Sequence, residues 1–219
     1  MSKILDNRLV EIKKLYYGNQ LCMRQIAEKL DVSIDAVIYF MRKHKLKRRN
    51  FSEINRLHFE RKSPSFKLRL IDSVLLRELK VIGTMLYWSE GYTSEKGSIV
   101  DFANSDPEMI TIFLKFLRNI YEIDEKKLRI LLYCYTDQDV DSLINFWSNL
   151  TGIPRRQFSK PYVRNDFRKN GRKMVNGLIH LRYCDKKLLL EVKKAIDYYK
   201  NKYRTNNAGV REVDKPSGL

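Results

Sequence analysis

Metal-binding and redox motifs are scarce in this sequence. Its 219 residues include three cysteines and three histidines, with no Cys-x-x-Cys pair and no two histidines near each other. A structural zinc site needs four such ligands at short spacings, and a disulfide framework needs an even, regularly spaced set of cysteines. Scattered thiols are typical of proteins in a reducing compartment. We therefore expect neither type of site, and a cytoplasmic location.

Long apolar runs and phosphate-binding loops are also missing. No stretch approaches the ~20 consecutive apolar residues that a membrane-spanning helix needs, and the N-terminus lacks the apolar core of a signal peptide. A glycine-rich loop followed by Lys and then Ser or Thr, which would hold nucleotide phosphates, does not occur. We therefore expect no membrane partner and no nucleotide cofactor.

Acidic residues are outnumbered throughout the chain. Lys and Arg total 43 against 26 Asp and Glu, which gives a formal net charge of +17. A charge of this size attracts polyanions whatever the fold. Hydrophobic residues make up 43% of the sequence, so a packed core is expected.

Residues 1–49 have the pattern of three short helices. Apolar residues recur at helical spacing in three runs, which are separated at Gly18-Asn19 and at Asp31-Val32. Ser33 can cap the third helix, and the small residue Ala27 suits a close helix crossing. This layout resembles the helix-turn-helix of resolvase-type DNA-binding domains. The resemblance implies binding only, because the catalytic residues of a recombinase are missing.

The second helix of such a pair enters the major groove and places its first residues at base edges. The acid-free run MRKHKLKRR lies at the end of that helix and beyond it, where its cations would contact phosphates and hold the protein near the nucleoid. The alternative is a three-helix bundle with a solvated charge run. The residues expected to contact DNA are Ser33, Asp35, Ile38, Tyr39, Arg42, Lys43, Lys47, Arg48 and Arg49.

The rest of the chain divides into a basic connector (50–74), a second domain (75–203) and a flexible tail (204–219). In the second domain helical and strand periods alternate in the order α, β, α, β, α, β, β, α. Helices are predicted from Leu75, from Pro107, from Val140 and after Asp185. Strands are predicted at 98–103, Leu128–Tyr135, Phe158–Arg164 and Leu178–Tyr183.

The predicted strands carry cations and aromatic residues on one face, while helices would cover the other. Between Arg155 and Lys173 eight basic residues stand against the single acid Asp166. Such a face suits a DNA duplex, although an ordinary solvated sheet face is the alternative. The residues expected to contact DNA here are Arg129, Tyr133, Arg155, Arg156, Tyr162, Arg164, Arg168, Lys169, Arg172, Lys173 and Arg182.

The first helix of this domain ends in GTMLYWSEGY, residues Gly83 to Tyr92. This resembles a degenerate LAGLIDADG motif in which Ser89, Glu90 and Gly91 take the places of the small residue, the acid and the glycine. With the order of elements that follows, residues 75–203 resemble the core of LAGLIDADG homing endonucleases. The expected fold is α+β: a three-helix helix-turn-helix domain, then a LAGLIDADG-like αβαβα domain with a DNA-facing antiparallel sheet.

The resemblance also implies a site. Glu90 and the backbone of Gly91 would hold Mg²⁺ or Mn²⁺, Asn104 would orient water, and Lys160 would lie near the cut phosphate. One motif per chain implies a homodimer on double-stranded DNA. The alternatives are a helix-terminal surface glutamate at Glu90 and a turn asparagine at Asn104.

The sequence departs from the family at Met85 and Trp88, which replace a glycine and the first acid, and between Gly91 and Ser98, where the first hairpin is too short. The expected function is a sequence-specific, metal-dependent endonuclease of homing type. The alternative is a transcription regulator of the same fold that binds without cutting. A role in RNA binding is a third hypothesis, which a helix-turn-helix disfavours because it reads duplex DNA.

Overall fold

The computed structural model of the protein describes residues 7–94, 96–165 and 174–205. The chain divides into two compact units, Met1–Ser63 and Pro64–Leu219. The boundary falls inside the segment that was predicted as a connector, 50–74. The predicted tail lies outside the described residues except for its first two, which end the last helix.

The first unit is helical. Its elements are α1 (Leu9–Lys13), which continues as a π-helical turn (Lys14–Gly18), then α2 (Met23–Leu30), α3 (Ile34–Lys43) and α4 (Phe51–Arg61). Its core is formed by nine buried apolar residues: Ile12, Leu15, Tyr16, Ile26, Ala27, Leu30, Val37, Phe40 and Met41.

The turn between α2 and α3 is closed by Asp31 and Ser33. Asp31 adopts a left-handed conformation (φ 52°), and its N–H donates to the carbonyls of Ala27 and Glu28. Ser33 then begins the next helix, because its hydroxyl accepts a hydrogen bond from the Ala36 N–H at 3.2 Å. The turn is therefore short and fixed at both ends.

Helix α4 was not predicted. Its start is held by a reciprocal cap in which Asn50 and Glu53 each accept the other's backbone N–H at 2.8 Å. At its end the Arg61 guanidinium donates to two carbonyls of the turn at residues 19–20. The helix buries little apolar surface besides Leu57, so the segment lacks the hydrophobic periodicity that predicts a helix.

The second unit contains four α-helices and four strands among its described residues, in the predicted order. The α+β class is therefore confirmed. The elements are α5 (Val74–Glu90), β1 (Val100–Asn104), α6 (Pro107–Tyr121), β2 (Leu128–Tyr135), α7 (Val140–Thr151), β3 (Tyr162–Arg164), β4 (Leu178–Tyr183) and α8 (Lys186–Thr205).

The sheet is mixed, with strand order β1-β4-β2-β3. Strand β4 pairs antiparallel with β1 and β2, but β3 pairs parallel with β2. The prediction of an antiparallel sheet is therefore wrong for this edge. The physical reason is α7, which carries the chain back to the starting end of β2 and so makes the next strand parallel. The strand predicted over Phe158–Arg164 is shorter, and Phe158 forms only an isolated bridge to Ile130.

One face of the sheet is buried against the helices of the unit. The inward residues of β1, β2 and β4 alternate strictly along each strand and join side chains of α5, α6, α7 and α8 in one core. The residues between them point to the opposite face, where they are exposed or half-buried apart from Asp101. This opposite face is called the open face below.

The crossing of α5 and α6 requires a residue without a side chain. A Cβ placed on Gly83 would lie 2.1 Å from Cγ and 2.5 Å from Cβ of Phe116. Both residues are buried, so the two helices approach each other closely at this point.

No helix in the described ranges combines the length and the apolar character needed to cross a bilayer.

Candidate nucleic-acid interface

Helix α3 presents a polar and aromatic face away from its core. Val37, Phe40 and Met41 are buried, so the residues between them point outward. Asp35, Arg42 and Tyr39 are exposed, the last with 57% of its surface accessible, and Ile38 is half-buried. Ile34 is also exposed, and the sequence analysis missed it because a residue at a helix start has no periodic neighbour before it. Ser33 begins the same face, with its hydroxyl used in the cap.

The cations that follow α3 do not all play the same part. Lys43, Lys47 and Arg48 are exposed. Arg49 instead turns inward: its guanidinium donates to the carbonyls of Leu21, at 3.0 Å, and of Tyr16. It also lies 4.1 Å from the centroid of the Tyr16 ring, and its backbone N–H donates to the Tyr16 hydroxyl at 2.8 Å.

Arg49→Ala should destabilise the first unit by about 2 kcal/mol, since two carbonyls would lose a charged donor. Arg48→Ala, which removes the same charge from an exposed position, should change stability by less than about 0.5 kcal/mol. Both tryptophans, Trp88 and Trp147, lie in the second unit. Urea unfolding should therefore show an early loss of helical circular dichroism in Arg49→Ala without a change in tryptophan fluorescence. Equal stability of the two variants would contradict the structural role of Arg49.

Three charged residues of the open face form one row across three strands. Arg129 on β2 lies opposite Arg182 on β4, and Arg182 lies opposite Asp101 on β1. The Arg182 Nε donates to one Asp101 oxygen at 2.8 Å, and the His180 Nδ1 lies 2.8 Å from the other. The Arg129 guanidinium donates to the carbonyls of Lys126 and Leu128.

Asp101 is the buried acid of the open face, and it was not among the residues expected there from the sequence. Only 8% of its surface is exposed. Burial by itself raises the pKa of a carboxyl group, but the hydrogen bond from His180 and the charges of His180 and Arg182 outweigh it. The pKa of Asp101 is therefore lowered, and the residue is a carboxylate at neutral pH. The sequence did contain a sign of this position. Asp101 stands between Val100 and Phe102 in the strand, so its side chain must point to the face opposite to theirs.

Aromatic residues occupy the other end of the open face. The Tyr133 ring lies 5.1 Å from the Tyr162 ring and 5.0 Å from the His180 ring, measured between centroids. Tyr162 has 56% of its surface exposed, and Arg164 follows it on the same edge strand. The structure thus brings together Arg129, Tyr133, Tyr162, Arg164 and Arg182 on one face.

The remaining basic residues lie elsewhere. Arg155 stands in the 3-10 turn after α7, where it pairs with Asp141 and donates to the Asn145 Oδ1 at 2.8 Å. Arg156 in the same turn and Lys160 in the loop before β3 are exposed. Arg168, Lys169, Arg172 and Lys173 lie outside the described residues.

Glu90 is the last residue of α5, and its side chain is exposed. A Cβ on Gly91 would lie 2.4 Å from both the Tyr87 carbonyl oxygen and the Tyr87 Cδ2. Close packing on Tyr87 therefore accounts for this glycine without a metal. The described residues contain no group of three or more His, Cys, Asp or Glu side chains that could hold a metal ion.

Asn104 serves the turn before α6. Its Oδ1 accepts the Asp106 N–H at 2.8 Å, and its Nδ2 donates to the Met109 sulfur at 3.4 Å. Asp106 in turn accepts the N–H groups of Glu108 and Met109. This is the role of a turn asparagine. Within the described ranges no hydrogen bond or ion pair joins Glu90, Asn104 and Lys160.

The chain was compared with known proteins at three levels. No protein-family model matches it, no curated protein matches it, and no solved structure matches it.

Proposed function

We propose that this protein binds double-stranded DNA through two surfaces, the outer face of α3 with the cations after it and the open face of the sheet. The observation that carries the proposal is the exposed face of α3. This face begins at a capped helix start after a fixed three-residue turn, and exposed cations follow it directly.

The first surface has the parts that a helix-turn-helix needs. Helix α3 would enter the major groove with Asp35, Ile38 and Tyr39 toward the base edges. Ser33 and the N-terminal N–H groups of α3 lie at the end of the helix that favours anions. Lys47 and Arg48 would contact phosphates, which requires charge rather than a defined geometry.

The second surface, the open face of the sheet, combines arginines with aromatic side chains. Arg129 and Arg182 lie at one end of the open face, and Tyr133 and Tyr162 lie at the other. Arg129 and Tyr133 are four residues apart on β2, or about 13 Å at the usual rise of a strand. That length spans about four base pairs at the axial rise of B-form DNA.

Salt dependence of binding tests the first surface. In the triple variant Arg42→Ala/Lys47→Ala/Arg48→Ala the negative slope of log K against log salt should become shallower by about 2.7, which is about 0.9 for each lost phosphate contact. Arg49 is left in place because it stabilises the unit. The charge-matched control is Lys115→Ala/Lys194→Ala/Lys202→Ala, which removes three exposed lysines from α6 and α8, outside both surfaces. An equal slope in the two triple variants would remove the first surface from the interface.

A second candidate function is metal-dependent cleavage of DNA by a homodimer. One specific observation favours it: exposed apolar residues form a stripe along α5, at Val74 and Leu75, Val81 and Ile82, and Trp88, and the helix ends at Glu90. The pairs recur every two turns, so they share one helix face. A second copy packed in parallel on this face would bring the two C-terminal ends of α5, each carrying a Glu90, near each other.

The position of Glu90 supports a functional role over a stabilising one. A carboxylate at the C-terminal end of a helix is disfavoured by the helix dipole. The described residues of one chain do not bring three or more His, Cys, Asp or Glu side chains together, whereas Mg²⁺ and Mn²⁺ take several oxygen ligands. Cleavage therefore requires the second copy, whereas a regulator that only binds DNA does not require Glu90.

A further inference from the structure

The row Asp101–Arg182–Arg129 is an unusual arrangement of charge for a sheet. Two arginines lie directly opposite each other on neighbouring strands. Like charges in this position repel, and the single carboxylate of Asp101 lies beyond Arg182. The row thus retains an excess of positive charge at the end of the open face opposite to Tyr133 and Tyr162.

Asp101 restrains Arg182 at one atom only. Both carboxylate oxygens are occupied, one by the Arg182 Nε and the other by the His180 Nδ1. The two terminal nitrogens of Arg182 have no hydrogen-bond partner among the described residues. Asp101 therefore fixes the guanidinium group through Nε, while the N–H groups of the two terminal nitrogens remain as donors for another partner.

We infer that Arg182 reads a guanine in the major groove and that Asp101 is the positioning residue that orients it. The inference rests on the proposed binding of duplex DNA by the open face. The outer edge of a guanidinium group matches the O6 and N7 acceptors of guanine with two parallel hydrogen bonds. A side chain that is already oriented loses less conformational freedom when it makes them.

A base is a better partner than a phosphate for this arginine. Strand β4 lies between β1 and β2, so Arg182 has a paired strand on each side and does not project from an edge strand. A phosphate contact needs only charge, and the Asp101 carboxylate beside it would repel a phosphate. A guanine edge is neutral, and recognition of it depends on geometry.

The test is selection of binding sites from a randomised duplex library by the full-length chain. Wild type should require guanine at one position, and Arg182→Ala should lose roughly tenfold to a hundredfold of discrimination there. Asp101→Asn should also weaken this discrimination but bind non-specific DNA no less tightly, because it removes a negative charge. A merely structural role of Asp101 would not move base preference at one position.

Arg129→Ala is the matched control, because it removes the same charge from the same row. It should lower affinity for all sequences and keep the guanine preference. If Arg182→Ala also lowers affinity uniformly and keeps the preference, Arg182 contacts phosphate and the inference is overturned, while binding by the open face stands. If wild type binds no duplex, the proposed function itself fails. Arg182→Ala decides the outcome even if Asp101→Asn does not fold.

Discussion

Glu90→Gln should retain DNA binding and lose metal-dependent cleavage by orders of magnitude, if two copies of the chain form a nuclease. The substitution keeps the shape of the side chain and removes the charge that a divalent cation requires. The cations of α3 and of the open face are untouched, so affinity should be unchanged. The measurement compares wild type and variant on one DNA at equal occupancy with Mg²⁺ and then Mn²⁺.

Glu122→Gln is the control for this experiment. It makes the same change at an exposed position outside α5 and its apolar face, and it should cut like wild type. If wild type binds tightly and cuts with neither metal, the protein is a regulator and Glu90 is a surface residue. If Glu90→Gln cuts like wild type, the resemblance to the LAGLIDADG motif does not extend to its acid.

Light scattering of the DNA complex should find two chains per site, and one chain per site would contradict the dimer.

Gly83→Ala should destabilise the second unit by about 3 kcal/mol, since overpacking a closed core typically costs 1–3 kcal/mol and occasionally more. Helix propensity alone predicts the opposite sign, because alanine in a helix interior is favoured over glycine by about 1 kcal/mol. The new methyl group would lie 2.5 Å from the Phe116 Cβ, which cannot move without the backbone of α6. Urea unfolding followed by tryptophan fluorescence measures the effect, because both tryptophans belong to this unit.

The double variant Gly83→Ala/Phe116→Ala separates the clash from other causes. It removes the ring that the new methyl group would meet, so it should lose less stability than the sum of the two single substitutions. Additive losses would show that Gly83 has another role. A gain in stability for Gly83→Ala alone would mean that α5 and α6 lie further apart than described.

Features that depend on neighbouring residues in the chain were predictable. Strands β2 and β4 have the predicted bounds, since alternation of apolar and polar residues is a local signal. The same alternation places Arg129, Tyr133 and Arg182 on one face, because successive side chains of a strand point to opposite sides. Helices α6 and α7 begin where Asp106 and Asp139 cap them, and α7 ends at Gly152 in a left-handed conformation.

Features that depend on distant residues were decided by the tertiary structure alone. Asp101 meets Arg182 across 81 positions, and Arg49 meets Tyr16 across 33. Periodicity shows which face a side chain is on, but it does not show which neighbour it meets there. For this reason Arg49 was predicted as a DNA contact, Asp101 was overlooked, and β3 was expected to be antiparallel. The contacts of Arg49 and Asp101 and the pairing of β3 depend on which distant segments the fold brings together. Hydrogen bonds and strand pairing are decided by distance in space and not by distance along the chain.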